Sequence, residues 1–516
     1  MSALPGFELA EEDVLGHRMT VFSDRLSMLS QLLERSVGFG EREYLVAGDR
    51  RLSFAEHETW VRRVAGGMRN AGVDKGDRVA IAAANSHEWV AAFWAAVSLG
   101  AVVVGLNAWW HGEELRAAIT DCEPTLLIAD AERIARIGAV PCTVVEIERL
   151  QEILDGDPVV DWPAVDEDDP AVILYTSGTT GRSKGAVHSH RNLLALVQLQ
   201  AFITASRPLP PGLVLPPARI FTSSPLFHVS GLHAGVVAAI SAGSTIIWRH
   251  GRFDPAEVMR VMQDEAVSSW SAVSTAVWRV VTHPEVGAYD LSSVRHIGGG
   301  GSAWSPALQE RMRAVFGDTL ASGVGYGLTE CTALATVAST EDLRAHPDTV
   351  GRALPTVEID VRDGEIFIRS PLVMLGYWRN EDATKAVIGE GRWLRTGDLG
   401  HVEDGLLFLS ARRHDLIVRA AENVYPVEIE NCLEGHPQVV ESVVVGLDHE
   451  ELGQEVCAVV VLSEPVSTDD LADYIGQRLA AFKVPSRWVV RTEPLPRTAT
   501  DKVLRAQVLA DLTTHR

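Results

Sequence analysis

Basic residues are in short supply in this chain: 46 Lys and Arg stand against 69 Asp and Glu, a formal net charge of -23. A surface of that sign repels the phosphates of DNA and RNA, so nucleic acid is excluded as a partner. Any small polyanion would need a local basic site inside this acidic envelope. Cysteine is also sparse. Cys122, Cys142, Cys331, Cys432 and Cys457 are scattered, with no CxxC and no metal-type pairing. They read as reduced core or surface thiols, which suits a cytoplasmic location. The start, MSALPGFELAEEDV, lacks the basic and then apolar order of a signal peptide. Tandem repeats and low-complexity tracts are absent too.

What remains is ordinary globular material: 516 residues, 46% hydrophobic and 22% charged, enough for two or more units with ample core. One apolar run, WVAAFWAAVSLGAVVVGL at Trp89 to Leu106, is long enough to span a membrane. It breaks at Ser98-Leu99-Gly100 and then turns β-branched. It therefore reads as a buried helix, a glycine turn and a buried strand, and with RVAIAAAN before it as a βαβ unit; no integral membrane segment is expected. Further strand-like runs at Ala171 to Tyr175 and Ser244 to Trp248 alternate with helical patterns such as Pro255 to Glu265. That rhythm predicts an α/β fold with mostly parallel sheets flanked by helices. Gly298 to Gly301 resembles a strand end that a backbone must approach closely.

Near Arg412 the pattern changes. After SARRHDLIVR come ESVVVGL, EVCAVVVL, a helix over Thr468 to Ala481 and SRWVVRTE, enough for a small α+β domain with its own core. We divide the chain into a large N-terminal domain, 1–412, and a small C-terminal domain, 413–516, with the boundary near His414.

The richest polar stretch is TSGTTGRSKG, Thr176 to Gly185. A Walker A loop needs glycine, four residues, then Gly-Lys-Ser/Thr; here Lys184 sits between Ser183 and Gly185, so the pattern fails. The parts still suit phosphate. Glycines free backbone amides, Thr176, Ser177, Thr179 and Thr180 supply hydroxyls, and Lys184 supplies an ammonium. By itself the segment would also pass for a flexible turn.

Other stretches stand in a telling order: PLFHVSGLH (Pro225 to His233), GYGLTE (Gly325 to Glu330), GEIFIRSPLVMLGYW (Gly364 to Trp378), WLRTGD (Trp393 to Asp398), ARRHDLI (Ala411 to Ile417), ENVYPVEIE (Glu422 to Glu430) and PRTATDK (Pro496 to Lys502). With the Thr176 loop they resemble the acyl-adenylate-forming superfamily of acyl-CoA synthetases, luciferases and peptide-synthetase adenylation domains, over most of the chain. The resemblance implies a two-step reaction. A carboxylate attacks the α-phosphorus of ATP to give an acyl-adenylate and pyrophosphate, and a thiol such as CoA then displaces AMP. Anion meets anion in the first step, so catalysis must be largely charge screening and positioning.

The resemblance also implies roles. Thr176, Ser177, Gly178, Thr179, Thr180, Gly181 and Lys184 would grip the phosphates; Gly301, Ser302 and Ala303 would lie along the adenine, with Tyr326 offering a flat face and Gly327 beside it in the nucleotide site. Glu330, beside Thr329, would bind Mg²⁺, since hard oxygen suits that ion. Asp398 and Arg412 would hold the ribose, and His414 would be the hinge about which the mobile small domain rotates between half-reactions. Lys502 would bridge carboxylate and ATP during adenylation. His228 stands in Phe-His-Val-Ser where amino-acid-activating relatives carry an aspartate for the α-amine, so an acid without that amine is expected. Each of these residues, met alone, would read as a core aromatic, a turn residue or a solvated charge.

Three departures bear on activity. Ser183 precedes Lys184 where many members have proline. Ala420 and Ala421 replace two glycines before Glu422-Asn423, and a methyl at Ala421 would crowd the CoA tunnel. Asp501 replaces the glycine before Lys502 and would pair with the lysine or repel the substrates. The expected function is an acyl-CoA ligase using ATP, Mg²⁺ and CoA on a carboxylic acid. The alternatives are an enzyme running only one half-reaction, such as thioesterification of a supplied acyl-adenylate, and a degenerate nucleotide-binding protein. A homodimer is left open.

Overall fold

The computed structural model describes residues 4–176, 183–207, 215–249, 251, 253–300, 304–412, 415–419, 422–449, 452–498 and 502–514. Three sheets and a hairpin, Leu9–Val14 with His17–Phe22, carry the strands of these residues.

The first sheet runs, edge to edge, Gly376–Tyr377, Lys184–Ser189, Pro170–Thr176, Val102–Gly105, Arg78–Ala82, Leu126–Ala129 and Thr143–Glu146. From Pro170–Thr176 onward the neighbours are parallel; Lys184–Ser189 and Gly376–Tyr377 add antiparallel at one edge. The second sheet is larger. Its centre is parallel, with Thr245–Ile247, Arg219–Thr222, Ser269–Ser271, His296–Gly300 and Ala321–Tyr326 in spatial order. An antiparallel arm then continues through Thr336–Ala338, Thr349–Ala353, Leu406–Arg412 and Leu394–Glu403. The expected parallel sheets therefore form the two centres, and antiparallel strands extend them; among these Leu394–Glu403 and Leu406–Arg412 are joined by a short turn, which allows only antiparallel pairing.

Helix His87–Ser98 explains the long apolar run. It lies between the two sheets, in one core with Leu45, Ile246 and Trp248 of one and Val79, Val103 and Ile173's neighbour Leu174 of the other. A helix covered on every side must be apolar all round, and Trp89 through Ala96 are fully buried. Gly100, at φ +75°, turns the chain into strand Val102–Gly105. Among the described residues no helix is long and apolar enough to cross a membrane.

The third sheet contains Glu422–Val424, Ile417–Arg419, Gly453–Leu462, Val439–His449 and Arg487–Arg491. Its own core gathers Ile417, Ile429, Val444, Val456, Leu471 and Ile475. Helix Pro426–Glu434 packs between this sheet and strand Leu406–Arg412 of the large one. The expected boundary at 412/413 and the hinge residue His414 fall at 413–414, outside the described residues.

Candidate active site

A cleft opens at the carboxyl ends of the parallel strands Ser269–Ser271, His296–Gly300 and Ala321–Tyr326, where ligands bind in open α/β sheets. The first sheet contributes its antiparallel edge. Thr176 and Lys184 are register partners, and the Thr176 hydroxyl donates to the Lys184 carbonyl at 3.4 Å. They hold the two ends of the phosphate-loop candidate together. The Lys184 ammonium stands 5.1 Å from the centre of the Tyr377 ring.

Tyr377 links that lysine to Glu330. Its hydroxyl donates to Glu330 Oε1 at 2.7 Å, and burial followed by the Glu330 charge pushes the phenol well up. Glu330 lies half-buried in the turn Thr329–Cys331, whose backbone is anchored by the Met374 amide donating to the Glu330 carbonyl at 2.9 Å. From behind, His188 Nε2 lies 2.7 Å from the Thr329 carbonyl, an acceptor, so that nitrogen carries the proton. Burial pushes His188 down to about 4, so the ring is neutral, and it meets the buried His233 ring edge-on at 4.9 Å. Gly327 is required by close approach: a Cβ there would stand 2.2 Å from the Ala333 carbonyl oxygen.

Tyr326 and Asp398 form a second buried pair. The Tyr326 hydroxyl donates to Asp398 Oδ2 at 2.8 Å, and burial with the Asp398 charge holds the phenol protonated. Asp398 itself is buried, its strand Leu394–Glu403 placing it directly opposite Arg412. The Tyr326 ring is buried against the core and also lines the cleft.

His228, packed on Phe227 at 4.9 Å between ring centres, lines the same cleft. Burial, and then the Lys502 ammonium, push it down to about 4. Lys502 thus reaches into the cleft of the large sheets, although it is carried by the C-terminal end of the chain. A turn holds it: the Thr498 amide donates to the Lys502 carbonyl at 2.7 Å, and the Lys502 amide donates to Thr498 Oγ1 at 3.1 Å.

The structure thus gathers Thr176, Lys184, His228, Tyr326, Gly327, Thr329, Glu330, Asp398 and Lys502 around one cleft. Ser177, Gly178, Thr179, Thr180, Gly181, Gly301, Ser302, Ala303, His414, Ala421 and Asp501 lie outside the described residues, as does the Arg412 side chain. Tyr377 and His188 are contacts that sequence reasoning missed. His188 had a signal, since it shares a strand parity with Lys184; for Tyr377 the motif was visible and the contact was not.

Comparison with known proteins identifies the family. A family model described as AMP-binding enzyme matches residues 33–378, and one described as AMP-binding enzyme C-terminal domain matches 428–502. A 2-succinylbenzoate–CoA ligase of Bacillus licheniformis is 33% identical, over 90% of this chain and 96% of that protein. An indoleacetate–CoA ligase of Aromatoleum aromaticum is 32% identical, over 93% and 97%. The fold is shared with o-succinylbenzoate CoA synthetase of Bacillus subtilis, solved with its acyl-adenylate intermediate (30% identity, TM-score 0.80, 92% of this chain and 97% of that one). The same enzyme has been solved with ATP and a magnesium ion (30% identity, TM-score 0.80, 93% and 99%). Family models covering both parts of the chain, and relatives aligned along nearly their whole length, place this protein in the AMP-binding enzyme family.

Proposed function

We propose that this protein is an ATP-dependent acid–thiol ligase, which activates a carboxylic acid without an α-amine as its acyl-adenylate and then forms the CoA thioester. The observation that carries this reading is that Lys502, from the C-terminal end of the chain, lines the same cleft as Lys184, His228 and Glu330. A mobile cation delivered between the acid and the nucleotide is what an attack of anion on anion requires. The relatives named above, CoA ligases with an acyl-adenylate intermediate, support it.

In this reading Lys184 and the loop from Thr176 grip the departing phosphates, the Asp398–Tyr326 pair accepts the ribose, and Arg412 assists from the facing strand. His228 is neutral and lines the acid's approach, adding no charge of its own. Glu330 would hold Mg²⁺. Among the described residues no cluster of three acidic, His or Cys ligands exists, and a single hard carboxylate suits an ion that takes its other ligands from water and substrate phosphates. When bound, the ion would neutralise phosphate charge; Tyr377 keeps the carboxylate oriented toward it. Two units, 1–412 and 413–516, rotate about His414, withdrawing Lys502 once the adenylate has formed. Free thiols suit the cytoplasm.

An acid panel with ATP, Mg²⁺ and CoA, reading pyrophosphate and thioester separately, tests the proposal. Both products from at least one acid are expected; neither product from any acid would overturn it. Asp501 beside Lys502, and Ala421, favour a second reading in which one half-reaction is lost. Pyrophosphate exchange without CoA transfer from a supplied acyl-adenylate, or the reverse, selects that reading.

A further inference from the structure

Deeper in the cleft, away from Lys502, the three parallel strands present matched rows of residues. Ser269, His296 and Ala321 are register partners in one row; Ser271, Gly298 and Gly323 form the next. The rows nearer the nucleotide, ending in Gly300 and Gly325, are almost free of side chains, so an acyl or aryl group can lie against bare backbone. The deep row is polar. Ser269 Oγ and His296 Nδ1 are 3.0 Å apart, and the imidazole folds over Gly298, where a Cβ would meet its Cε1 at 3.1 Å.

Arg207 lines the same cleft. It follows the helix His190–Ala205, in which the Gln200 amide donates to the Ala234 carbonyl of the π-helical turn Leu232–Val237 at 3.2 Å. Arg207 is half-buried in the cleft lining, and no carboxylate pairs with it among the described residues. The following segment, 208–214, reads PLPPGLV and contains no acidic residue. Arg207 lies near enough to His296 for its charge to act on that ring; burial, and then Arg207, hold His296 neutral, at about 3. A guanidinium withdrawn from water with no counter-charge is costly, and burial alone lowers its proton affinity here.

The geometry points to a distal subsite, built from Arg207, His296 and Ser269, that binds a second carboxylate of the substrate. The acid activated by the ligase proposed above is then a dicarboxylic acid whose second carboxylate is remote from the reacting one. The planar fork of Arg207 matches a carboxylate with two parallel hydrogen bonds. With the Ser269 hydroxyl donating to Nδ1, the neutral imidazole keeps a proton on Nε2 to donate as well. The glycine rows between set the spacing of the two carboxyl groups.

Matched acids test this: monocarboxylic acids, aliphatic and aryl, each beside an analogue of equal length carrying a second carboxylate at the far end. The wild-type enzyme is expected to favour the diacid in kcat/KM by about tenfold to a hundredfold, the worth of charge-assisted hydrogen bonds. Arg207→Met should abolish that preference through KM, leaving kcat little changed and monoacid turnover intact, which also shows that the variant folds. Arg207→Lys should retain part of the preference. Equal handling of the paired acids by the wild type, or equal loss on both in Arg207→Met, overturns the subsite while leaving the ligase reading standing. Calorimetric binding of the paired acids to the wild type and to Arg207→Met covers the remaining case, in which no acid is turned over. Binding of the diacid that Arg207→Met weakens supports the subsite even then, and binding indifferent to either change overturns it.

Discussion

At Glu330 the direction of the carboxylate is set by a tyrosine 47 residues away, whose hydroxyl occupies Oε1 and leaves the other oxygen for a cation. Tyr377→Phe removes that restraint without touching the carboxylate. Loss of a hydrogen bond to a charged group costs about 1.5–3 kcal/mol, so half-maximal pyrophosphate exchange should require about tenfold more Mg²⁺ or beyond. An unchanged Mg²⁺ titration would show that Tyr377 does not orient Glu330. Lys502 acts at a different moment. Lys502→Ala should lower pyrophosphate exchange by about a hundredfold to a thousandfold, the usual loss when one preorganised charge-stabilising donor is deleted. CoA transfer from a supplied acyl-adenylate should stay within a few-fold of wild type. Equal loss in both assays would contradict a role confined to adenylation. Glu330, Asp398 and Lys502 were legible in the sequence because each sits in a short motif with a chemical rationale. Tyr377 and Arg207 were not, because their contacts come from distant segments brought side by side.

Elements hold these side chains at fixed depth. Strand Ala321–Tyr326 runs straight into Gly327, and the turn Thr329–Cys331 hangs from it, supported by His188 on the neighbouring sheet. Gly327→Ala would force a methyl to 2.2 Å from the Ala333 carbonyl oxygen, so the turn must move. We expect a destabilisation of about 1–3 kcal/mol, read as a lower Tm, with a larger proportional loss of adenylation because Glu330 shifts too. A variant with wild-type activity would mean that the turn has slack. The helix–turn–strand reading of Trp89 to Leu106 was legible from periodicity and one glycine. The joining of the hairpin Leu394–Glu403 and Leu406–Arg412 to Thr349–Ala353 was not, since it depends on register between segments far apart in sequence.

For the whole molecule, protons act on two limbs. His57 and His296, pushed to about 3, and His188, His190 and His228, pushed to about 4, are all depressed chiefly by burial. The unfolded chain binds those protons near 6.5, so their stabilising contribution is complete above that pH and is lost as pH falls toward 4. Glu434 works oppositely. It ends helix Pro426–Glu434, accepts a hydrogen bond from Ser305 of the large sheet's flank, and is raised to about 7 by burial and then by Glu430. Its contribution to docking is present below its unfolded value of 4.5 and is lost as pH rises through about 7. Docking of the Lys502-bearing segment, followed by scattering or by distance labels across the contact, should therefore weaken from about pH 5 to 7 in wild type, level off above that, and show no such change in Glu434→Gln. Identical curves would remove Glu434 as the cause.

The sequence alone determined the fold class and the family of reactions, because hydrophobic period and short motifs are local properties that survive without neighbours. Only the tertiary structure decided what faces what: Lys502 in one cleft with His228, Tyr377 against Glu330, and Ser269 against His296 in the cleft that Arg207 also lines. Those pairings join residues separated by tens to hundreds of positions, and burial then sets their charge. A linear pattern carries neither the contact nor the dielectric in which it acts.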